Sequence, residues 1–344
     1  MTSAGFAGYA RPMRILLALA LAAALATAAE AKGLKKPRRG FQMRTSKFTV
    51  QPGEDLEMCE YRRLPNKKTI DVNGFELTMP PEAHHFVIWA YGGKVEDDSQ
   101  FPKGPVESVG CTGRDLSPDE FVPQVLIPIQ TPNARFRFPE GIALRLEPHK
   151  QVWLNPHLKN FETTPITPDI RFNFYRAKKG SVRHLAEGFI VGNATDIHVP
   201  AGGDQTLTAE WTAPVNMTLI QLATHTHKLG TYGNIEIGSP DGTTRSLVYE
   251  NFDWQHPHAF WPDPAIRLLK GQKMRITCKW HNDGDREVNF GPETTDEMCF
   301  ILGFYYRDDG DTGPVVSPEC PLPAESGLLC IFSPKVLDEV IPPG

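Results

Sequence analysis

The chain has 344 residues, of which 36 are Lys or Arg and 41 are Asp or Glu, and its formal net charge is −5 at pH 7. This acidic balance does not favour a nucleic-acid partner, because such partners bind basic surfaces. The 31 prolines and 29 glycines are spread along the chain, which indicates many short strands and turns rather than long helices.

The first 31 residues have the features of a secretory signal. Arg11 and Arg14 precede an apolar run over residues 15–26, and Ala29-Glu30-Ala31 supplies small residues for a cleavage site. The run is too short for a transmembrane helix, and no later run approaches about 18 apolar residues. We therefore expect an exported chain, secreted or periplasmic, with no transmembrane segment after signal cleavage. An N-terminal anchor that is never cleaved is the alternative.

Short strand-like segments, separated by turn signals, occur through the rest of the chain, and helical periodicity is nearly absent. This pattern predicts an all-β fold of antiparallel β-sandwiches. The basic, glycine-containing segment Arg176–His184 divides the chain into two domains, over residues 40–180 and 185–335. The predicted strands are Phe48–Val50, Ala83–Trp89, Val125–Ile129, Ala143–Leu146, Gln151–Leu154, Leu219–Ala223, Lys273–Lys279 and Cys299–Tyr306.

Two pairs of histidines stand out among the 11 in the chain. His225 and His227 lie two residues apart on a predicted strand, so their side chains project from one face and can chelate one ion. His84 and His85 are adjacent, and adjacent strand residues point to opposite faces. They can share an ion only at a strand end or a bulge, or through different ring nitrogens. A third pair, His256 and His258, is interpreted as part of an aromatic-rich loop.

Met298 lies just ahead of a predicted strand. Its thioether is a soft, neutral ligand, and together with two imidazoles it suits Cu(I) better than zinc, calcium or magnesium. Core packing is the alternative for a single methionine.

These segments, in this order and at these separations, resemble the copper type II, ascorbate-dependent monooxygenases over roughly residues 48–310. The resemblance is carried by Met58-Cys59-Glu60-Tyr61 with Leu64-Pro65, by His84-His85 and the apolar residues after it, by the segment from Pro139 to His157, by Thr224-His225-Thr226-His227, and by Cys278 through His281-Asn282 to Asp296-Glu297-Met298-Cys299.

The resemblance implies two jelly-roll-like β-sandwich domains that flank a solvent-filled cleft, with two copper ions per chain. One ion, held by His84, His85 and His157 in the first domain, would accept and pass on electrons. His149 lies in the same region and is the alternative third ligand. Ascorbate is the reductant that the resemblance implies.

In the second domain the resemblance implies a copper ion held by His225, His227 and Met298, which together form the catalytic site. This ion would bind dioxygen and attack an aliphatic C–H bond of a small-molecule or peptide substrate. A non-catalytic copper-binding or storage protein on the same scaffold is the alternative function. A plain β-sandwich interaction module with incidental histidines is a third.

The chain departs from the peptide-amidating members at three positions, Ala223, Phe300 and Leu302, where those members carry an Arg and polar residues that hold a carboxylate. A carboxylate in an apolar pocket would remain unpaired, at a cost of several kcal/mol. We therefore expect that the protein does not hydroxylate peptidyl-glycine.

All six cysteines follow the predicted signal, which indicates disulfides in an oxidising compartment. The resemblance pairs Cys278 with Cys299. With that pair assigned, a short loop joins Cys320 to Cys330, and Cys59 and Cys111 remain as the third pair.

Overall fold

The structure is a computed structural model that describes residues 33–91, 98–107, 123–193, 196–238, 244–248, 252–291, 293–310 and 328–331. The predicted secretory signal lies outside these residues. Within them the protein is nearly all β, which confirms the fold class predicted from the sequence. The only helix in this part of the chain is a single 3₁₀ turn, Asp98–Gln100. No helix among the described residues is long and apolar enough to span a membrane.

Among the described residues, ten strands precede residue 180. They are β1 (Gly40–Arg44), β2 (Asp55–Arg63), β3 (Ile70–Thr78), β4 (Ala83–Tyr91), β5 (Val106–Glu107), β6 (Pro123–Ile129), β7 (Arg135–Arg137), β8 (Ile142–Leu146), β9 (Gln151–Lys159) and β10 (Arg171–Arg176).

Eleven strands follow in the described part of the chain. They are β11 (His184–Asn193), β12 (His198–Val199), β13 (Gly203–Thr212), β14 (Met217–His225), β15 (Gly230–Gly238), β16 (Thr244–Val248), β17 (Ile266–Leu268), β18 (Lys273–Asn282), β19 (Val288–Asn289), β20 (Cys299–Arg307) and β21 (Leu328–Ile331).

The strands form two hydrophobic cores, each between two sheets. In the first, a sheet ordered β5-β2-β9-β4-β6 packs against β3, β8 and β10. In the second, a sheet ordered β13-β18-β15-β16 packs against β11, β14, β17 and β20. Stacked sheets that bury their inner faces in this way form β-sandwiches.

One continuous sheet runs through both cores, in the order β1-β10-β3-β8-β11-β20-β14-β17. Its halves meet where β11 pairs in parallel with β8, from His184 opposite Ile142 to Ala186 opposite Leu144. The segment predicted as a linker, Arg176–His184, therefore connects β10 to the strand that joins the two halves. The chain from Lys36 onward forms one compact unit, and the division into two domains stays a prediction.

Strand β18 shows why the sequence folds as it does. Its buried residues alternate with exposed or half-buried ones, so Met274, Ile276 and Trp280 enter the core while Lys273 and Arg275 face solvent. This period of two is the pattern of a strand with one buried and one solvent-exposed face. Strand β14 differs, because all nine of its residues are buried. One face of β14 covers the second core, and the other lies beneath residues of the first half.

Seven of the eight strands predicted from the sequence are confirmed as β4, β6, β8, β9, β14, β18 and β20. The prediction at Phe48–Val50 is wrong, since only Val50 forms an isolated bridge, to Ile166. Apart from this bridge, residues 48–50 have no adjacent strand with which to form a ladder of hydrogen bonds.

The structure contains the Cys278–Cys299 disulfide, which joins β18 to β20 with the two Cα atoms 6.0 Å apart. It therefore links the two sheets of the second sandwich. Cys59 is also disulfide-bonded. Its predicted partner Cys111, together with Cys320, lies outside the described residues, and the pairing predicted for Cys330 is not described either.

Candidate metal centre

A β-bulge places His84 and His85 on the same side of β4. The register between β4 and β9 shifts between Ala83 and His85, so that Ala83 lies opposite Leu158 while His85 lies opposite His157. The extra residue is His84. A bulge re-aims one side chain relative to the pleat. This is one of the exceptions that the sequence analysis required for two adjacent histidines to share a site.

His225 is the last residue of β14, and His227 follows in the turn that leads to β15. The pair thus spans a strand end rather than lying wholly within a strand. The two rings are nevertheless adjacent, with centroids 5.1 Å apart. Both residues are buried, with 5% of His225 and none of His227 exposed.

The structure brings the five histidines of both predicted ligand sets into one cluster, which we call the imidazole cluster. The ring of His84 lies at its centre, with centroid distances of 5.2 Å to His85, 5.4 Å to His157, 5.4 Å to His225 and 5.6 Å to His227. One candidate ligand atom from each of His84, His225 and His227 lies within 4.8 Å of the others. The same holds for His84 with His85 and His157. His84 therefore belongs to both groups, although the sequence assigned it only to the first set, and Met298 is in neither group.

Several ring nitrogens in the imidazole cluster are buried and have no hydrogen-bond partner among the described residues. They are both nitrogens of His84, Nδ1 of His157 and Nε2 of His227. Leaving a buried donor or acceptor unpaired costs about 1–3 kcal/mol. Four such atoms at one place form the kind of donor set that a bound metal ion would satisfy, so the residues fit the metal that the sequence predicts.

The rings of His157 and His227 are each oriented by a contact on one nitrogen, while the other nitrogen is the unpaired one. Nε2 of His157 lies 2.8 Å from Oδ1 of Asp55, and Nδ1 of His227 lies 3.2 Å from the carbonyl oxygen of Asp296. Ligating histidines in metalloproteins are commonly oriented in this way, by a carboxylate or a carbonyl. The remaining nitrogen of each ring is thereby directed into the cluster.

The imidazole cluster favours neutral rings, which is the form that binds metal. Burial, reinforced by the neighbouring imidazoles, holds the pKa of His84 and of His225 well below the ordinary value. Burial also lowers the pKa of His227, to about 3. The pKa of His85 is lowered by burial as well, although Glu57 acts in the opposite direction.

The carboxylate of Glu297 fixes the turn that carries His227. It accepts hydrogen bonds from the backbone N–H groups of His227 (2.9 Å), Leu229 (2.6 Å) and Met298 (3.3 Å), and from Nε1 of Trp280 (2.7 Å). Glu297 is fully buried. Burial raises its pKa to about 7, although these hydrogen bonds act in the opposite direction.

Asp55 connects the two halves of the chain beside the imidazole cluster. Besides contacting His157, it accepts a hydrogen bond from the hydroxyl of Thr294, which lies in the turn before Met298. Burial raises the pKa of Asp55, but the hydrogen bonds from His157 and Thr294 outweigh it, so the net pKa is lowered. The carboxylate is therefore ionised at neutral pH and can orient the His157 ring.

Met298 is partly buried and packs against an apolar cluster that includes Phe300 and Leu302. The ring of Phe300 in turn stacks on His225, with centroids 6.5 Å apart. Ala223 lies directly opposite Leu302, and all three altered positions are buried. The apolar environment that the sequence predicted for Ala223, Phe300 and Leu302 is thus present.

The other histidines lie outside the imidazole cluster. His149 is exposed in a turn and has a positive φ of 53°, whereas His157 is inside the cluster with 1% of its surface exposed. His256 contacts Asp253, and His258 packs edge-on against Phe260. Neither joins a group of metal-binding residues in the described part of the chain.

The loop that carries His256 and His258 lies against the imidazole cluster, because Trp254 packs on the ring of His84 with centroids 5.1 Å apart. A backbone bridge between Phe260 and Leu222 attaches the end of this loop to β14.

Three residues beside the imidazole cluster were missed by sequence reasoning. They are Glu297, Asp55 and Gln130, whose side-chain amide contacts Nδ1 of His225. Glu297 was quoted only as part of a motif. Its position directly before a candidate thioether ligand was the signal that could have marked it.

Fold and site together define an all-β protein with a buried histidine centre suited to metal. Residues 204–320 match the family model of the copper type II ascorbate-dependent monooxygenase C-terminal domain. Over that range the match confirms the family resemblance inferred from the sequence. The range contains His225, His227 and Met298, whereas His84, His85 and His157 precede it. No curated protein matches the chain.

Comparison with solved structures gives low similarity. The structure of the infectious bursal disease virus Gx strain has 12% identity and a TM-score of 0.20, over 80% of this chain and 74% of that chain. PNGF-II has 10% identity and a TM-score of 0.26, over 83% of this chain and 64% of that chain. The VP2 subviral particle of infectious bursal disease virus has 10% identity and a TM-score of 0.17, over 90% of this chain and 76% of that chain. TM-scores this low bear on neither fold nor function.

Proposed function

We propose that the protein is an exported copper-dependent monooxygenase that hydroxylates an aliphatic C–H bond, using dioxygen and a reductant such as ascorbate. The observation that carries this proposal is the imidazole cluster, whose buried ring nitrogens lack partners in a chain whose residues 204–320 match the family's C-terminal domain. The signal-like N-terminus and the disulfide support export to a secreted or periplasmic location.

In this proposal each chain holds two copper ions. His84, His85 and His157 would hold the first, and His157 is preferred to His149 because His149 is an exposed turn residue. The unpaired Nδ1 of His157 and one of the two unpaired nitrogens of His84 are atoms that such an ion would engage.

His225, His227 and Met298 would hold the second ion. Bound copper would supply the electron transfer and dioxygen chemistry, and the thioether of Met298 favours the reduced state. The protein's own contribution is to hold the rings neutral, to orient them and to limit access of water. Glu297 fixes the turn of His227, and Trp254 covers His84 from the loop side.

The chain is proposed not to act on peptidyl-glycine. A substrate carboxylate beside Ala223 and Leu302 would meet a buried apolar surface. An ionised group there would cost several kcal/mol without a charged partner. A small neutral molecule or a differently anchored peptide fits this surface better.

The test is copper analysis of the purified chain together with ascorbate-dependent oxygen consumption. The proposal predicts bound copper and oxygen uptake that requires ascorbate. Met298→Ala should abolish oxygen uptake while one copper remains bound, and Met43→Ala, on the edge strand β1, serves as the matched control. A chain that binds no copper after reconstitution would contradict the proposal.

A non-catalytic copper-binding or storage protein is the second candidate. It is favoured by the contact of His84 with both histidine sets and by the burial of all five rings, which restricts access of dioxygen and substrate. Copper that binds without any ascorbate-dependent oxygen uptake in the wild-type chain would support this alternative.

A further inference from the structure

A cavity of about 210 Å³ lies next to the imidazole cluster, on the face of β14 that is turned away from the second core. It is bounded by the end of β6, by β7, by the strands β14 and β20, and by the loop that packs on His84. The residues that line it include Ile129, Gln130, Gln221, Ala223, Leu302 and Phe304.

The local geometry of β14 produces this cavity. The register between β14 and β20 shifts between Leu219 and Gln221, which is a bulge at Ile220. Beyond the bulge, Gln221, Ala223 and His225 alternate along the strand and therefore share one face. The cavity floor thus leads along a single strand face towards a ring of the imidazole cluster.

Two buried amide groups line the cavity without a full set of hydrogen bonds. The Oε1 atoms of Gln130 and Gln221 have no partner among the described residues, although the side chains are only 8% and 6% exposed. The amide nitrogen of Gln130 already contacts His225. A buried carbonyl oxygen without a donor costs about 1–3 kcal/mol, which a ligand that donates a hydrogen bond would recover.

The few charged side chains around the cavity argue against a charged ligand. No acidic side chain is among the described residues that line the cavity, so a cation would find no opposite charge among them. Among these described residues only Arg135 is charged, and it is exposed. The interior around Ala223 and Leu302 is apolar and would leave a buried anion unpaired.

The size of the cavity sets a further limit. An apolar cavity of about 150 Å³ in another protein accommodates benzene. The cavity here is somewhat larger, at about 210 Å³, so one ring or a short branched chain with one polar group would fill it.

We propose that this cavity binds a small, neutral, mainly apolar molecule that donates a hydrogen bond to Gln221 from a hydroxyl, or donates to both Gln221 and Gln130 from a primary amide. Because Gln130 also contacts His225, the bound molecule would lie beside the imidazole cluster. Its identification as the substrate class rests on the proposed monooxygenase function. The binding site itself rests only on the cavity and its two amides.

The test uses three probes of similar size and different polar groups. Benzyl alcohol and anisole are isomers, of which only the alcohol donates a hydrogen bond, and benzoate carries a charge. Binding to the copper-reconstituted chain is measured by isothermal titration calorimetry. We expect benzyl alcohol to bind about 5- to 10-fold more tightly than anisole, which corresponds to one hydrogen bond of about 1 kcal/mol.

Gln221→Leu removes one acceptor while keeping an apolar side chain, and it should bring the affinities of benzyl alcohol and anisole together. Gln51→Leu, at an exposed position, is the matched control and should leave the preference unchanged. If Gln221→Leu does not fold, the probe comparison in the wild-type chain still decides the question. Equal or tighter binding of anisole, or tightest binding of benzoate, would overturn the proposal.

The binding test and the test of function fail independently. A preference for benzyl alcohol in a chain that consumes no oxygen would support the cavity and contradict the monooxygenase. Ascorbate-dependent oxygen consumption without this preference would support the monooxygenase and overturn the proposed ligand class.

Discussion

The buried carboxyl of Glu297 gives a prediction whose size follows from the structure. Its folded-state pKa is raised to about 7 from an ordinary value of 4.5. At acid pH the neutral carboxyl is favoured by the fold. As the pH rises from about 4.5 through about 7, the unfolded chain ionises first, so the folded chain loses stability.

Between about pH 5.5 and about pH 8, linkage gives a loss of about 2 kcal/mol from this one group. Glu297→Gln removes the titration while keeping the shape of the side chain. The free energy of unfolding of the wild type, minus that of the variant, should therefore fall by about 2 kcal/mol across this interval. Contributions from the histidines are common to both proteins and cancel.

The measurement is urea denaturation of the metal-free wild type and variant at both pH values. Glu140→Gln, at an exposed position, is the control, and its difference from the wild type should stay within about 0.5 kcal/mol. A difference for Glu297→Gln that is independent of pH would refute the reasoning. That result would mean that the four N–H donors already hold the carboxylate ionised in the folded chain throughout this interval.

Three further predictions follow from contacts at and near the imidazole cluster. Asp55→Asn should weaken copper binding about 10- to 100-fold in chelator competition, whereas the exposed control Asp283→Asn should not; equal affinities would contradict the orienting role. Replacing Cys278 and Cys299 together by Ser should lower the free energy of unfolding by about 3 kcal/mol, and an unchanged denaturation midpoint would exclude this. Because the pKa of His227 is lowered to about 3, the metal-free chain should lose up to about 1.4 kcal/mol per pH unit from this ring below about pH 6.5; His227→Gln should remove that loss, and an unaltered pH profile would count against it.

The local sequence pattern was enough to predict most of the strands near the site. β18 alternates strictly, and β14 is a continuous apolar run, so each carries a signal that does not depend on distant residues. The segment Phe48–Val50 carries a similar apolar signal but has no neighbouring strand in the fold, which a local pattern does not reveal.

The histidine ligands were identified by residue type, order and family resemblance, and the structure brings them together. The shared position of His84 was not predicted, because it depends on a bulge in β4 and on how the two sandwiches pack. The resemblance implied a solvent-filled cleft between two separate ligand sets. The structure instead brings the two sets into contact through His84.

The residues that orient the ligands could not be predicted from the sequence, for a related reason. Asp55 is 102 positions from His157, and Glu297 is 70 positions from His227. Neither carboxylate has a local pattern that marks it as buried. Their roles arise from contacts between elements that are distant in the sequence, and only the three-dimensional fold shows these contacts.

The central claim is that the imidazole cluster is a copper centre. The most direct measurement is anomalous diffraction at the copper edge from crystals of the copper-loaded chain. We expect copper peaks within bonding distance of the unpaired nitrogens of His84, His157 and His227, and one peak beside Met298. Copper peaks only elsewhere on the molecule, or none in the imidazole cluster at full loading, would contradict it.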